Sequence, residues 1–329
     1  METKLRARVA VAGAGAIGSA VALTLLRAGF DVTLFDPNPA GDNASGVAAG
    51  MLAPVAEAVF DPVSTPHLAL LRRARDLWPV FAEGLDLTIL RDGLRVEGQA
   101  AWLDGVASRL EALGASFLRL DEALFDAEDW RIEPRAALIA LRTAFQTLGG
   151  RFEPRAFTTD DLPAFWAVVL ATGAGDASGF APELSALSPI KGQILRADRG
   201  PATGPVIRGE GVYIAPGENP AIGATMEAGR DDLTVDPSVT DALRAAAIRL
   251  RPELARAVMT TEVGVRAATP DGLPLVGWSA TPGVMLAVGA RRNGWLLAPL
   301  VADLVAAYLK GDNPGPDAAS LDARRFSRT

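Results

Sequence analysis

Residues 9–36 constrain the fold of this chain more than any other stretch. Residues 9–12 form a short apolar run, GAGAIG follows, SAVALTLLRAG carries the apolar period of a helix, and DVTLFD reads as a second strand. The order predicts a parallel β-α-β unit with glycine at positions one, three and six of its turn, the pattern that seats a dinucleotide. Each glycine has its own physical reason. Gly13 allows the tight turn, Gly15 lets the backbone approach a pyrophosphate, and Gly18 lets helix and strand pack closely. Backbone N–H groups of Ala16 and Ile17, at the positive end of the helix, then face the anion. Asp36 ends the second strand, where a carboxylate accepts a hydrogen bond from a ribose hydroxyl and repels a 2′-phosphate, so NADP is disfavoured. A glycine-rich packing turn without a ligand is the competing reading, since a tenth of the chain is glycine.

Composition narrows the chemistry. At about 150 residues per domain, 329 residues suggest two domains. With no Cys, the chain has no disulfide, thiolate nucleophile, iron–sulfur cluster or cysteinyl-linked cofactor, and its one His cannot build a multi-His zinc site. We therefore expect no metal. A net charge of −7 argues against a nucleic-acid groove and for a small-molecule partner. Lys4, Arg6 and Arg8 ahead of an uncharged run imitate a targeting or membrane segment, but Gly13, Gly15 and Gly18 inside it argue otherwise. The expectation is a soluble cytoplasmic protein without a membrane partner.

Further along, LALLRRARDLWPVF, LDGVASRLEALG and PRAALIALRTAFQTLG read as helices around a short strand pair near residues 87–96. A buried strand is expected within AFWAVVLATGAG, strand-like pieces over 191–225, and a helix over 238–249. The chain closes with the strand VMLAVGA, the turn RRNG and the helix WLLAPLVADLVAAYL, in which Pro299 is tolerable only in the first turn. The small-residue run ASGVAAGMLAP suits a backbone pressed against an extended cofactor. A flexible linker is the alternative, against which Met51, Leu52 and the lead into Pro54 and Glu57 count.

Gly13 to Gly18, Asp36, SGVAAGML, VVLATGAG, KGQILR, YIAP…IGATME, VRAATPDGLPLVG and RRNGWLLAP, in this order, resemble the glycine oxidase and D-amino acid oxidase family of FAD enzymes. The likeness covers most of the chain and is greatest to the glycine oxidases of thiamine biosynthesis. It implies an α/β fold like that of p-hydroxybenzoate hydroxylase, with a discontinuous Rossmann-type FAD-binding domain (1–70, 140–190, 262–329) and a sheet-based substrate domain (71–139, 191–261). Carried over by position, it assigns Ala16, Ile17, Asp36 and Pro37 to the adenosine and pyrophosphate half of a non-covalent FAD, with Phe157 near the adenine. Ser45, Ala49, Gly50 and Met51 would line the path to the flavin. Ala290, Arg291, Arg292, Asn293, Gly294, Trp295 and Leu296 would border its pyrimidine edge, where N–H groups opening the last helix stabilise negative charge.

The same resemblance assigns substrate binding to Arg266, whose fork suits a carboxylate, and to Tyr213, with Arg292 facing the flavin edge, the substrate or an internal carboxylate. Arg266 read alone is a structural ion pair. Ala290 and Gly211 stand where glycine oxidases commonly carry His, and His67 reads as an exposed residue near a helix start, so no side-chain base is expected. The implied chemistry is hydride transfer from the Cα of glycine, sarcosine or a small D-amino acid to flavin N5, with O₂ returning H₂O₂ and the imine hydrolysing to a 2-oxo acid and ammonia. Two alternatives stay open, a dehydrogenase with a non-oxygen acceptor and a non-catalytic flavoprotein. The resemblance is also compatible with a homo-oligomer.

Overall fold

The computed structural model describes residues 7–175 and 177–327. Among them, one sheet of six strands is built around Arg8–Ala12, which pairs in parallel with Asp31–Phe35 on one side and Ala167–Leu170 on the other. Arg151–Glu153 extends the first edge in parallel. Val284–Val288 and then the antiparallel Leu275–Trp278 extend the second. Parallel strands covered on both faces read as unbroken apolar runs, as Ala167–Leu170 and Val284–Val288 do. Val9 and Val11 pack into a core shared with the helices Ala16–Arg27, Pro134–Thr147 and Gly294–Lys310, while Ala10 and Ala12 face a second core containing Phe35, Phe157 and Leu170.

The second sheet is mostly antiparallel. Its backbone is a ten-residue ladder between Ser188–Ala197 and Met259–Ala268, from which the sheet continues through Ala221–Gly223, Val212–Ala215, Val206–Gly209, Leu94–Glu97, Ala123–Asp126 and Leu118–Leu120. One face buries Leu195, Ile207, Ile214 and Ile222 against Leu243 and Ala247 of the helix Pro237–Leu250. The other face carries the polar positions described below. The strand Met259–Ala268 straddles residue 262 and Ser188–Ala197 straddles residue 190, and by pairing both belong to the second sheet. The helix Pro134–Thr147, which straddles residue 140, packs with the first sheet's helices.

Two local expectations are corrected by long-range contacts. The short strand pair expected near 87–96 takes its partners from elsewhere: Leu94–Glu97 pairs with Val206–Gly209 and Ala123–Asp126, and Leu90 bridges to Arg131. Pro299 lies inside Gly294–Lys310, one turn beyond the position expected of it. A proline there leaves the carbonyl four residues earlier without its helical donor. That carbonyl belongs to Trp295, and the fully buried Trp78 donates its indole Nε1–H to it at 3.1 Å. The defect becomes a tie between two distant helices.

This pairing predicts a measurable coupling. Trp78→Phe removes the donor and lowers stability by about 1–3 kcal/mol in chemical denaturation. In a Pro299→Ala background the helix supplies its own donor, so the same replacement costs less, and equal costs in both backgrounds would dismiss the compensation.

Candidate active site

The glycine turn is held as its sequence demands. Gly13 has φ +103, and a Cβ there or at Gly18 would collide with a carbonyl oxygen, of Ala171 and of Gly13 respectively. Asp36 is buried and turns inward on the loop it serves: its Oδ2 accepts from Ala14 N at 2.7 Å and its Oδ1 from Asn38 N at 2.8 Å. Gly15 precedes the helix without a side-chain cap, and Ala16 N donates to Ser45 Oγ at 2.9 Å. Ile17 follows in the first turn, where helical N–H groups have no intrahelical acceptor. Pro37 is exposed beside Asp36. The ring of Phe157 is core, meeting Phe35 edge-on at 5.2 Å and leaning on Phe165 and Phe180.

The small-residue run is a pinned wall. Asn43 accepts from Ser45 N and Gly46 N and so caps the short helix Ala44–Val47. Arg196 donates to the carbonyls of Val47 and Ala48 at 2.8 and 3.0 Å, and Trp295 Nε1 donates to Ser45 O at 3.0 Å. Met51–Leu52 pairs with Trp130–Arg131. The next helix, Pro54–Phe60, has its first-turn N–H groups of Val55 and Ala56 satisfied by both oxygens of Asp129, 74 and 73 residues away. That helix presents Glu57.

Together these elements enclose a cavity of about 320 Å³ between the wall 44–51 and the second sheet. Ala49, Gly50, Met51, Trp295, Tyr213, Arg266 and Arg292 all line it, as does Gly211, whose Cβ would meet open space. Alternating positions of the sheet supply its charged floor, because residues two apart share a face. Arg266 folds over Gly192, where any Cβ would collide with its guanidinium, and its Nη1 donates to Thr225 O at 3.3 Å. The Tyr213 hydroxyl lies over Gly223 in the same manner. Burial pushes the Tyr213 phenol up, against the pull of Arg266, Arg292 and Arg208, so it is a neutral donor at ordinary pH. Burial likewise pushes Arg266 down from its ordinary value, opposed by Tyr213.

Two lining residues were not singled out as site residues from sequence. Glu57 Oε2 lies 2.8 Å from Arg292 Nε, so of the three roles open to Arg292 the structure realises the internal carboxylate, and Glu57 is the largest cause of its raised pKa. Arg208 stands directly across the strand pair from Tyr213, with its guanidinium 4.3 Å from the Phe60 ring centre. Burial pushes it down to about 10, and Arg292 adds to the shift. A single Arg between Ile and Gly in a predicted strand carries no motif, so only the fold reveals it.

The final turn offers backbone rather than side chains. Arg291, at φ +52, donates its N–H to Ala267 O and pairs its side chain with Asp61, and Asn293 directs its amide to Ser64 Oγ at 3.5 Å. Ala290 is buried and bridges to Ala268. Gly294 and Leu296 belong to the start of the last helix, with Leu296 in the core. His67 is half-buried rather than exposed, with Nε2 3.1 Å from Asp271 O, and it does not line the cavity. A glycine turn opening a helix, a carboxylate at the next strand end and a wall of small residues leading to a charged floor fit a flavin dinucleotide.

The family model described as FAD dependent oxidoreductase, DAO, matches residues 8–308. The chain is 32% identical over 334 residues to the putative thiamine biosynthesis oxidoreductase ThiO of Rhizobium etli, covering 94% of this chain and 98% of that protein. It is 30% identical over 367 residues to the glycine oxidase of Geobacillus kaustophilus, with 96% of each covered. The crystal structure of glycine oxidase from Geobacillus kaustophilus superimposes with a TM-score of 0.78 at 24% identity, covering 97% of this chain and 99% of that one. It is also 32% identical over 354 residues to the tRNA 5-methylaminomethyl-2-thiouridine biosynthesis bifunctional protein MnmC of a Caulobacter species, covering 97% of this chain. The chain spans just over half the length of the bifunctional relatives it matches, 58% for this one.

Beneath Glu57, Asp129 and Asp126 are buried together. Burial first, then Asp126, raises Asp129, and burial raises Asp126 to about 6, against the pull of the Glu128 N–H. A carboxyl raised on folding stabilises while protonated and loses that contribution as pH rises through its folded value, so the Asp126 charge costs stability above about pH 6. Asp126→Asn should therefore raise Tm at pH 8, with the gain shrinking as pH falls towards 4. A gain independent of pH would show that the Asp126 charge is not its source.

Proposed function

This chain belongs to the FAD dependent oxidoreductase family, DAO, and from that premise we propose that it oxidises the amine of a small amino acid such as glycine, sarcosine or a small D-amino acid, with O₂ as acceptor. For glycine the balance is glycine, O₂ and water giving glyoxylate, ammonia and H₂O₂. A place in thiamine biosynthesis is part of this reading, supported by the likeness to ThiO. So is the division of the chain into a cofactor domain on the first sheet and a substrate domain on the second.

The observation that carries the proposal is Arg266, a guanidinium on the cavity floor whose only protein hydrogen bond among the described residues is a long one to Thr225 O. Its fork is free to take a carboxylate, and the neutral Tyr213 hydroxyl beside it is a second donor. FAD, when bound, supplies the two-electron acceptor that amine oxidation requires. The residues that would hold it are the turn 13–18, Asp36, the wall 44–51 and the backbone of 290–296.

The chain's own contribution is orientation and electrostatics. Anchoring the carboxylate at Arg266 fixes the substrate Cα against the wall that the flavin would share. Three guanidiniums, Arg208, Arg266 and Arg292, face one carboxylate, Glu57, and this surplus of positive charge favours the neutral amine over the ammonium. No imidazole lines the cavity, so the site offers no histidine base.

Anaerobic addition of glycine, sarcosine or D-alanine should bleach the flavin spectrum, and air should restore it with release of H₂O₂. Reduction of a dye without oxygen uptake would instead assign a dehydrogenase, and no bleaching with any amine would set the proposal aside. Arg266→Ala should retain FAD and raise the apparent KM by about 100-fold or more, given about 1.5–3 kcal/mol for each charge-assisted bond. An unchanged KM removes Arg266 from the substrate site.

A further inference from the structure

Arg208 is the guanidinium in the cavity to which the proposed reaction assigns no carboxylate. Glu57 and Arg292 neutralise each other as an ion pair, and a single substrate carboxylate answers Arg266. Arg208 then has no ion-pair partner of its own, and Glu57 attracts it only across the cavity. Its Nε is buried without a hydrogen-bond partner, its guanidinium makes no hydrogen bond or ion pair to any described residue, and its contacts are the faces of Phe60 and, at 6.0 Å, Tyr213. An uncompensated buried cation is costly, and aromatic faces repay only part of that cost.

Strand order gives the spacing. Arg266 lies over Gly192 in Ser188–Ala197, the Tyr213 hydroxyl over Gly223 in Ala221–Gly223, and Arg208 rises from Val206–Gly209. With neighbouring strands about 4.8 Å apart and three strand steps from Gly192 to Arg208, the two guanidiniums flank Tyr213 at a separation on the order of 14 Å. An organic dianion fits between them.

We propose that Arg208 is a second acid-binding residue and that the preferred substrate is a dicarboxylic amine, an amino acid carrying another carboxylate on its side chain or on its nitrogen. The assignment rests on the amine-oxidation reading for its chemistry but not for its anion recognition. Arg266 holds the carboxylate next to the reacting carbon, and Arg208 holds the far one across Tyr213. The room beside Gly211 admits the longer molecule.

The test separates binding from turnover. Calorimetric titration of the FAD-loaded protein with succinate and with propionate should give an affinity ratio of at least tenfold in favour of the dianion. Arg208→Leu should bring that ratio to about one, and Arg208→Lys should keep most of it. Equal affinities in the wild type, or an Arg208→Leu variant that weakens both ligands alike, overturns the proposal. In turnover, kcat/KM should be higher for iminodiacetate or D-aspartate than for glycine and sarcosine, and the preference should disappear in Arg208→Leu. Oxidation of glycine with no preference for either dicarboxylate refutes the dicarboxylic assignment while leaving amine oxidation standing. Arg208-dependent succinate selectivity without oxidation of any amine upholds the second acid site and refutes amine oxidation instead.

Discussion

A short relay of hydrogen bonds joins the parts on which the rest of this molecule depends. Ala16 N donates to Ser45 Oγ, Trp295 Nε1 donates to Ser45 O, and Trp78 Nε1 donates to Trp295 O. Four segments that are remote in sequence thereby meet: the first helix, the small-residue wall, the last helix and the helical stretch around residue 78. Each donor is an N–H and each acceptor an oxygen, and the bond from Trp78 to Trp295 O is fully buried, where an unmade bond costs about 1–3 kcal/mol. The nucleotide turn and the cavity wall are thus registered to each other by the same atoms that satisfy the backbone.

Charge at the cavity runs against charge on the whole. The chain carries −7 overall, yet its cavity sets three guanidiniums against one carboxylate. Net charge averages over the surface, whereas the field at a site is set by the few groups inside a low-dielectric space. The glycines beneath that floor are its counterpart. Gly192 and Gly223 leave room for Arg266 and the Tyr213 hydroxyl to lie flat across neighbouring strands, so absent side chains on one strand position functional ones on another.

Local spacing made much of this legible. The turn 13–18 and Asp36 stand one βα step apart, and the strands around them are apolar runs, so the first sheet's centre follows from short-range pattern alone. Arg266, Tyr213 and Arg292 came from resemblance, the run 44–51 already from its small residues, and the fold brings them to one cavity. Phe157, assigned near the adenine by resemblance, has its ring in the aromatic cluster behind Phe35, because an apolar side chain with a core available buries there. Arg291 and Asn293 likewise sit in the anticipated turn but direct their side chains to Asp61 and Ser64.

By itself, the sequence determined the β-α-β unit, the absence of thiol chemistry and the near absence of imidazole, since these depend on residue type and on spacings of a few positions. Tertiary structure alone decided that Glu57 pairs with Arg292, that Asp129 caps the helix carrying Glu57, and that Arg208 shares a floor with Arg266. The physical reason is distance along the chain. Glu57 and Arg292 are brought together by a sheet and two helices that must first pack, and no local preference of either residue encodes a partner that only the assembled fold supplies.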